Sequence, residues 1–142
     1  MTIKAILEGK GENIISVSPS DSVNDAVTLL AEKRIGAVPV VADGSVLGIF
    51  SERDVIYGLA NEGASILARK VADVMTAPAL TVSPESGVLA ALSLMTRRRI
   101  RHLPVIREGR VVGVVSIGDL VKYRIDKIEA EASAMRDYIQ GS

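Results

Sequence analysis

Apolar residues follow two alternating rhythms along this chain. From Ser22 to Lys33, Val23, Ala26, Val27 and Leu30 recur at three and four residues, which predicts an amphipathic helix capped by Ser22. Ala37 to Val41 is instead a continuous apolar run, the pattern of a buried strand. Pro39 interrupts it, and a residue without an amide donor belongs at a strand edge or an irregularity. Ala42-Asp43-Gly44-Ser45 carries the Asp-Gly hairpin signal, and Val46 to Phe50 returns as a strand. Ser51 then caps a helix running to about Asn61, stopped by Gly63. A short strand from Asn13 to Val17, closed by Ser18 and Pro19, precedes the unit.

The whole pattern then repeats. A shift of 65 residues aligns the chain with itself without a gap. Val17-Ser18-Pro19 falls on Val82-Ser83-Pro84, Arg34-Ile35 on Arg99-Ile100, and Pro39-Val40 on Pro104-Val105. Gly44, Gly48, Ser51 and Asp54 fall on Gly109, Gly113, Ser116 and Asp119. The second copy therefore reads as strand Leu80 to Val82, helix Ser86 to about Arg98, and strand His102 to Ile106. A turn at Arg107-Glu108-Gly109, strand Val111 to Val115 and a helix from Ser116 follow. Short helices are expected before each copy, around Thr2 to Leu7 and Lys70 to Met75, and Glu62 to Ala68 reads as a short link. The expected division is residues 1–65 and 66–142, two β-α-β-β-α units of the α/β (α+β) class, neither burying its apolar face well alone.

The last helix departs from its counterpart. No breaker occurs between Asp119 and Gly141, and Val121, Ile125, Ile128, Ala132, Met135 and Ile139 recur at alternating fours and threes. That is a heptad seam of about three repeats. It predicts a helix that overhangs its own unit and contacts a second copy in a homodimer.

Composition narrows the chemistry. Hydrophobic residues make up 48% of the 142 and aromatic residues only 3%, so the core is aliphatic. The absence of cysteine excludes disulfides, thiolate metal sites and cysteine nucleophiles and is compatible with a reducing, cytoplasmic compartment. No apolar run approaches the ~18 residues of a spanning helix, and the N-terminus lacks the pattern of a signal peptide. Net charge is zero, yet Arg97, Arg98, Arg99, Arg101, Arg107 and Arg110 cluster with only Glu108 opposing them. A local patch of this kind suits a phosphate better than a long duplex.

The repeated Gly48-Ile49-Phe50-Ser51 with Asp54, and Gly113-Val114-Val115-Ser116 with Asp119, each end a strand and open a helix. Ser-x-x-Asp is ordinarily a helix cap. It also sets a hydroxyl and a carboxylate at the mouth of a strand–helix junction. A carboxylate accepts from two vicinal hydroxyls, which suits ribose, while helix amides and guanidinium groups suit phosphate.

The duplicated unit, with Ala37-Val38-Pro39-Val40 or His102-Leu103-Pro104-Val105 followed by Gly-x-x-Ser-x-x-Asp, resembles the cystathionine beta-synthase (CBS) domain. Two in tandem resemble a Bateman module, over nearly the whole chain. The resemblance implies repeats packed around a pseudo-twofold axis, with clefts for AMP, ADP, ATP, S-adenosylmethionine or NAD(H). It implies that the aspartate holds ribose hydroxyls and the serine contacts ribose or phosphate. The start of the Pro-Val strand would read adenine, and basic residues would hold phosphate. Carried onto this sequence, one site would use Gly36, Ala37, Ile49, Ser51, Arg53 and Asp54, and the other Arg101, His102, Val114, Ser116 and Asp119. Arg53 is matched by Gly118, and Gly36-Ala37 by Arg101-His102, so the two sites are expected to treat one ligand unequally.

An enzyme is not expected, because the sequence holds no nucleophile–base constellation, phosphate loop or metal-ligand cluster. His102, the only histidine, is no metal site, but beside Arg101 it is a candidate phosphate contact. The expected role is a free-standing nucleotide sensor that signals through an unknown effector protein. Two alternatives stand beside it: an interaction module with vestigial clefts, and a nucleic-acid module using the arginines. Zero net charge and scarce aromatics weigh against the latter.

Overall fold

The computed structural model describes residues 1–10 and 14–141. Its elements, in order, are α1 (Ile3–Lys10), α2 (Val23–Lys33), β1 (Ala37–Ala42), β2 (Ser45–Ser51) and α3 (Glu52–Glu62). A 3-10 turn (Gly63–Ala68) and α4 (Val71–Val74) lead to α5 (Val88–Arg98), β3 (His102–Arg107), β4 (Arg110–Ser116) and α6 (Ile117–Gly141). The duplicated helix and hairpin expected from the sequence are present in both copies.

Local chemistry explains the boundaries. Ser22 is extended and its hydroxyl accepts from the Asp25 amide at 3.1 Å, capping α2 as predicted. In the second copy the cap position falls on Gly87 rather than Ser86; the Ser86 hydroxyl instead accepts from the Ser83 amide. Both helices end on an arginine in the left-handed region, Arg34 and Arg99. Each hairpin turns through two consecutive left-handed residues, Asp43-Gly44 and Glu108-Gly109, the backbone of a type I′ turn. Register slips by one residue after Val40 and again after Val105.

The expected first strand of each copy is not a strand. Val17 makes a single parallel bridge to Val40, and Val82 one to Val105. The Val17 amide donates to the Pro39 carbonyl and the Val41 amide to the Val17 carbonyl. The next rung would need an amide on residue 39, which proline lacks, and Pro104 stops the second copy alike. Asn13, the expected start of the first such strand, lies outside the described residues.

Two hydrophobic cores result, and each takes in the segment that precedes the other repeat. The first packs Val17, Val23, Ala26, Leu30, Val38, Val40 and Phe50 with Ile66 from the 3-10 turn and Val71 from α4. The second packs Val88, Ala91, Met95, Leu103, Val105, Val115 and Leu120 with Ile3 and Ile6 from α1. The expected short helices are thus both present, and the Glu62 to Ala68 link is a packed turn with Ile66 fully buried. The two hairpins meet, with the Val111 amide donating to the Gly44 carbonyl at 3.3 Å.

α6 is 25 residues long, about 37 Å at 1.5 Å per residue. Leu120 is its only buried residue, and residues 125–141 are exposed throughout. Ile125, Ile128 and Met135 stand on this overhang at 49%, 47% and 61% exposure.

Candidate functional site

The two strand–helix junctions share one construction. At the first, Asp54 Oδ2 accepts from the Ser51 amide at 2.9 Å and the Ser51 hydroxyl at 3.2 Å. At the second, Asp119 Oδ2 accepts from the Ser116 amide at 2.8 Å, and the Ser116 hydroxyl accepts from the Asp119 amide at 3.1 Å. A latch then ties each helix start to the beginning of the neighbouring strand. The Glu52 amide donates to the Gly36 carbonyl at 3.0 Å and the Ile117 amide to the Arg101 carbonyl at 2.8 Å. The expected Ser-x-x-Asp caps are therefore real, and they fix both carboxylates at the ends of β2 and β4.

What reaches each carboxylate from outside its repeat differs. Residues 75–77 cross over β2, with amide–carbonyl bonds in both directions between Ile49 and Thr76 at 2.9 Å. Gly48 permits this, since a β-carbon there would lie 2.6 Å from the Thr76 carbonyl oxygen. The crossing delivers the Thr76 hydroxyl to Asp54 Oδ1 at 2.8 Å. Over β4 the crossing element is the end of α1. It places the Lys10 ammonium 2.7 Å from Asp119 Oδ2 and 2.9 Å from the Val114 carbonyl. Burial pushes the Asp119 carboxyl up, but donation from Lys10 and Ser116 outweighs it and leaves the group below its ordinary value.

A cleft of about 870 Å³ opens where the two repeats meet. Gly36, Ala37, Ile49, Ser51 and Arg53 line it from the first repeat, and Arg101, His102 and Ser116 from the second. Residues assigned by sequence to two separate sites thus face one shared cavity. Asp54, Val114 and Asp119 do not line it; each lies one step behind, bonded to Ser51, Thr76, Lys10 or Ser116 as above. His102 lies close to Gly36 and Glu52: a β-carbon on Gly36 would come within 3.2 Å of His102 Cε1 and 2.8 Å of Glu52 Oε1. Burial lowers the His102 pKa, Glu52 opposes that, Arg101 adds to it, and the imidazole is neutral at pH 7.

The arginine patch divides. Arg98 and Arg101 reach the cleft, whereas Arg107 pairs with Glu85 at 3.7 Å elsewhere. Arg53 also lines the cleft, with Nη2 donating to the Arg99 carbonyl at 2.7 Å, so α3 is clasped to the end of α5. Gly118, at the matching position of the second repeat, has no side chain to make the mirror contact.

Several lining or anchoring residues escaped the sequence reading: Lys10, Glu52, Tyr57, Thr76 and Leu80. Glu52 and Tyr57 adjoin the Ser-x-x-Asp motif, and their position next to it was the available signal. Lys10 and Thr76 carried none, because the repeat alignment sets Lys10 against Met75 and Thr76 against Gly11. Among the described residues no His, Cys, Asp and Glu group could hold a metal ion, and no helix is long and apolar enough to cross a membrane.

Comparison with known proteins fits this architecture. The CBS domain model matches twice, at residues 11–61 and 71–126. The mitochondrial CBS domain-containing protein CBSX3 of Arabidopsis thaliana is 37% identical, over 99% of this chain and 72% of that protein. The crystal structure of the CBS-domain containing protein ATU1752 from Agrobacterium tumefaciens superposes with a TM-score of 0.83 at 40% identity, covering 87% of this chain and 99% of that one. The CBS domain protein PAE2072 from Pyrobaculum aerophilum, complexed with AMP, superposes with a TM-score of 0.74 at 26% identity, over 84% of this chain and 89% of that one. Both repeats, their junctions and the cleft between them place this chain in the CBS-domain family, as a tandem pair.

Proposed function

We propose that this CBS pair is a non-catalytic regulatory module that binds adenosine nucleotides, AMP foremost, with unequal strength at its two junctions. The observation that carries the reading is the shared cleft. It brings two strand starts, Ser51 and Ser116, and the guanidinium groups of Arg53, Arg98 and Arg101 around one cavity of nucleotide size. The strand starts offer backbone edges to a base. Asp54 and Asp119, set behind the serines, hold ribose hydroxyls, and the arginines take phosphate. The AMP complex of the Pyrobaculum relative supports the same ligand class. ADP, ATP, NAD(H) and S-adenosylmethionine share the adenosine moiety and compete for the cleft.

The test is a thermal-melting screen of these compounds on ligand-free protein. A ligand at a hundred times its Kd adds ~2.7 kcal/mol, a readily measured shift. No shift with any of them at millimolar concentration would sink the proposal.

The output is a change of association in a cytoplasmic homodimer, relayed to a separate effector protein. The exposed stripe of Ile125, Ile128 and Met135 supports this, since an isolated helix does not hold such a stripe in water without cost. Truncation after Tyr123 is expected to shift light scattering from dimer towards monomer. A full-length chain that is monomeric at tens of micromolar overturns the dimer.

A further inference from the structure

The two carboxylates differ in what the other repeat brings to them: a neutral hydroxyl at Asp54 and an ammonium at Asp119. Resting on the reading of the aspartates as ribose anchors, we propose that Lys10 is the specificity-determining residue of the second junction. It favours nucleotides that carry an anionic group over uncharged nucleosides.

The contacts lead there directly. Asp54 receives a neutral hydroxyl from Thr76, which can turn aside for a ligand hydroxyl without leaving a charge unpaired. Asp119 receives the Lys10 ammonium, and Lys10 also donates to the Val114 carbonyl. An ammonium has three donors and no acceptor, so a third donor remains for a ligand. A vicinal diol engages both oxygens of a carboxylate, so ribose at Asp119 meets Lys10 at Oδ2, which already accepts from the Ser116 amide. The lysine side chain is 42% exposed, so solvent and a ligand anion can reach it. A phosphate gives the displaced ammonium a new anion. A nucleoside offers none, and its binding weakens the ion pair without replacing it. An exposed ion pair is worth at most about fivefold in affinity.

The repeat supplies its own control, because Met75 occupies the position of Lys10 in the other copy. In a 15.0 kDa protein the amide NMR signals of residues 48–54 and 113–119 report the two junctions separately. Wild type, Lys10→Met and Lys10→Gln are titrated with adenosine and with AMP at fixed ionic strength. Adenosine affinity at the second junction is expected to rise by up to about fivefold in both variants. AMP affinity there should change less than twofold, and the first junction should not change. Glutamine keeps a hydrogen-bond donor without the charge, so a wild-type pattern in Lys10→Gln overturns the role of charge. Equal gains for adenosine and AMP, or none for either, overturn the selectivity. Perturbation confined to residues 48–54 in every protein overturns this proposal alone. Perturbation at neither junction, with either ligand, removes the ribose-anchor reading as well.

Discussion

Asp54 and Asp119 occupy equivalent positions in two copies of one unit, yet they live in different electrostatic surroundings. Asp54 faces a threonine hydroxyl delivered by the crossing residues 75–77. Asp119 faces an ammonium delivered by α1 and sits below its ordinary pKa. Within the repeats the geometry is the same: a serine amide on Oδ2, a latch to the neighbouring strand start, a hairpin with a left-handed pair at its tip. The contrast comes from the segments that precede each repeat. Both copies keep the cradle, and the leading segment sets the partner of its carboxylate.

That contrast can be broken at three levels. The strongest test removes the leading segment from its core. Ile66 and Ile3 are fully buried in the first and second cores respectively. Ile66→Ala and Ile3→Ala should each cost about 2–5 kcal/mol in urea unfolding. Hydrogen exchange should accelerate mainly in residues 17–62 for the former and 82–123 for the latter. Equal acceleration across both repeats would show that the cores do not act separately.

The next test separates capping from binding. Asn retains an acceptor oxygen, so Asp54→Asn should change apo stability by less than about 1 kcal/mol. A hydrogen bond to a charged group is worth about 1.5–3 kcal/mol, so nucleotide affinity should fall roughly ten- to a hundredfold. Asp119→Asn should cost less affinity, because Lys10 already offsets that carboxylate. Calorimetry on both variants gives the ratio. Losses confined to apo stability would make the aspartates caps and nothing more.

The smallest effect belongs to His102. Burial depresses its pKa below the ordinary 6.5, so the unfolded chain takes up a proton more readily than the folded one. The stability associated with the neutral ring is fully present above pH 6.5 and declines as pH falls below it. His102→Asn should flatten that part of the profile. A bound phosphate favours the imidazolium, so AMP affinity should strengthen as pH falls through the same window and should not do so in the variant. The second protonation of the AMP phosphate, near pH ~6, acts on both proteins alike, so parallel pH profiles for wild type and variant would take His102 out of the phosphate contact.

Much of this was legible in the sequence, and the gaps have physical causes. The 65-residue repeat exposed both hairpins and both capped junctions, and the unbroken heptad spacing exposed the overhanging α6, because each rests on local turn, cap and periodicity signals. The strands at Val17 and Val82 looked equally plausible by apolar pattern. They shrink to single bridges because of Pro39 and Pro104, residues on the partner strand. The link at Glu62 to Ala68 looked like a connector because its first residues are polar and small, while its weight lies in one residue, Ile66. Lys10 and Thr76 were invisible for another reason. Their role depends on which repeat each leading segment packs against, and that is a long-range choice.

The exchange of leading segments also dictates an order of events during synthesis. Once Val71 has left the ribosome, every residue of the first core exists in the chain. α1, made before that core, has no such partner, because the core that receives Ile3 and Ile6 is complete only with Leu120. At ~5–20 residues per second, the first helix waits roughly 2–10 s beyond the completion of the first core. Through that interval Ile3 and Ile6 remain available to a nascent-chain chaperone, and Asp119, the residue Lys10 will engage, has yet to be translated.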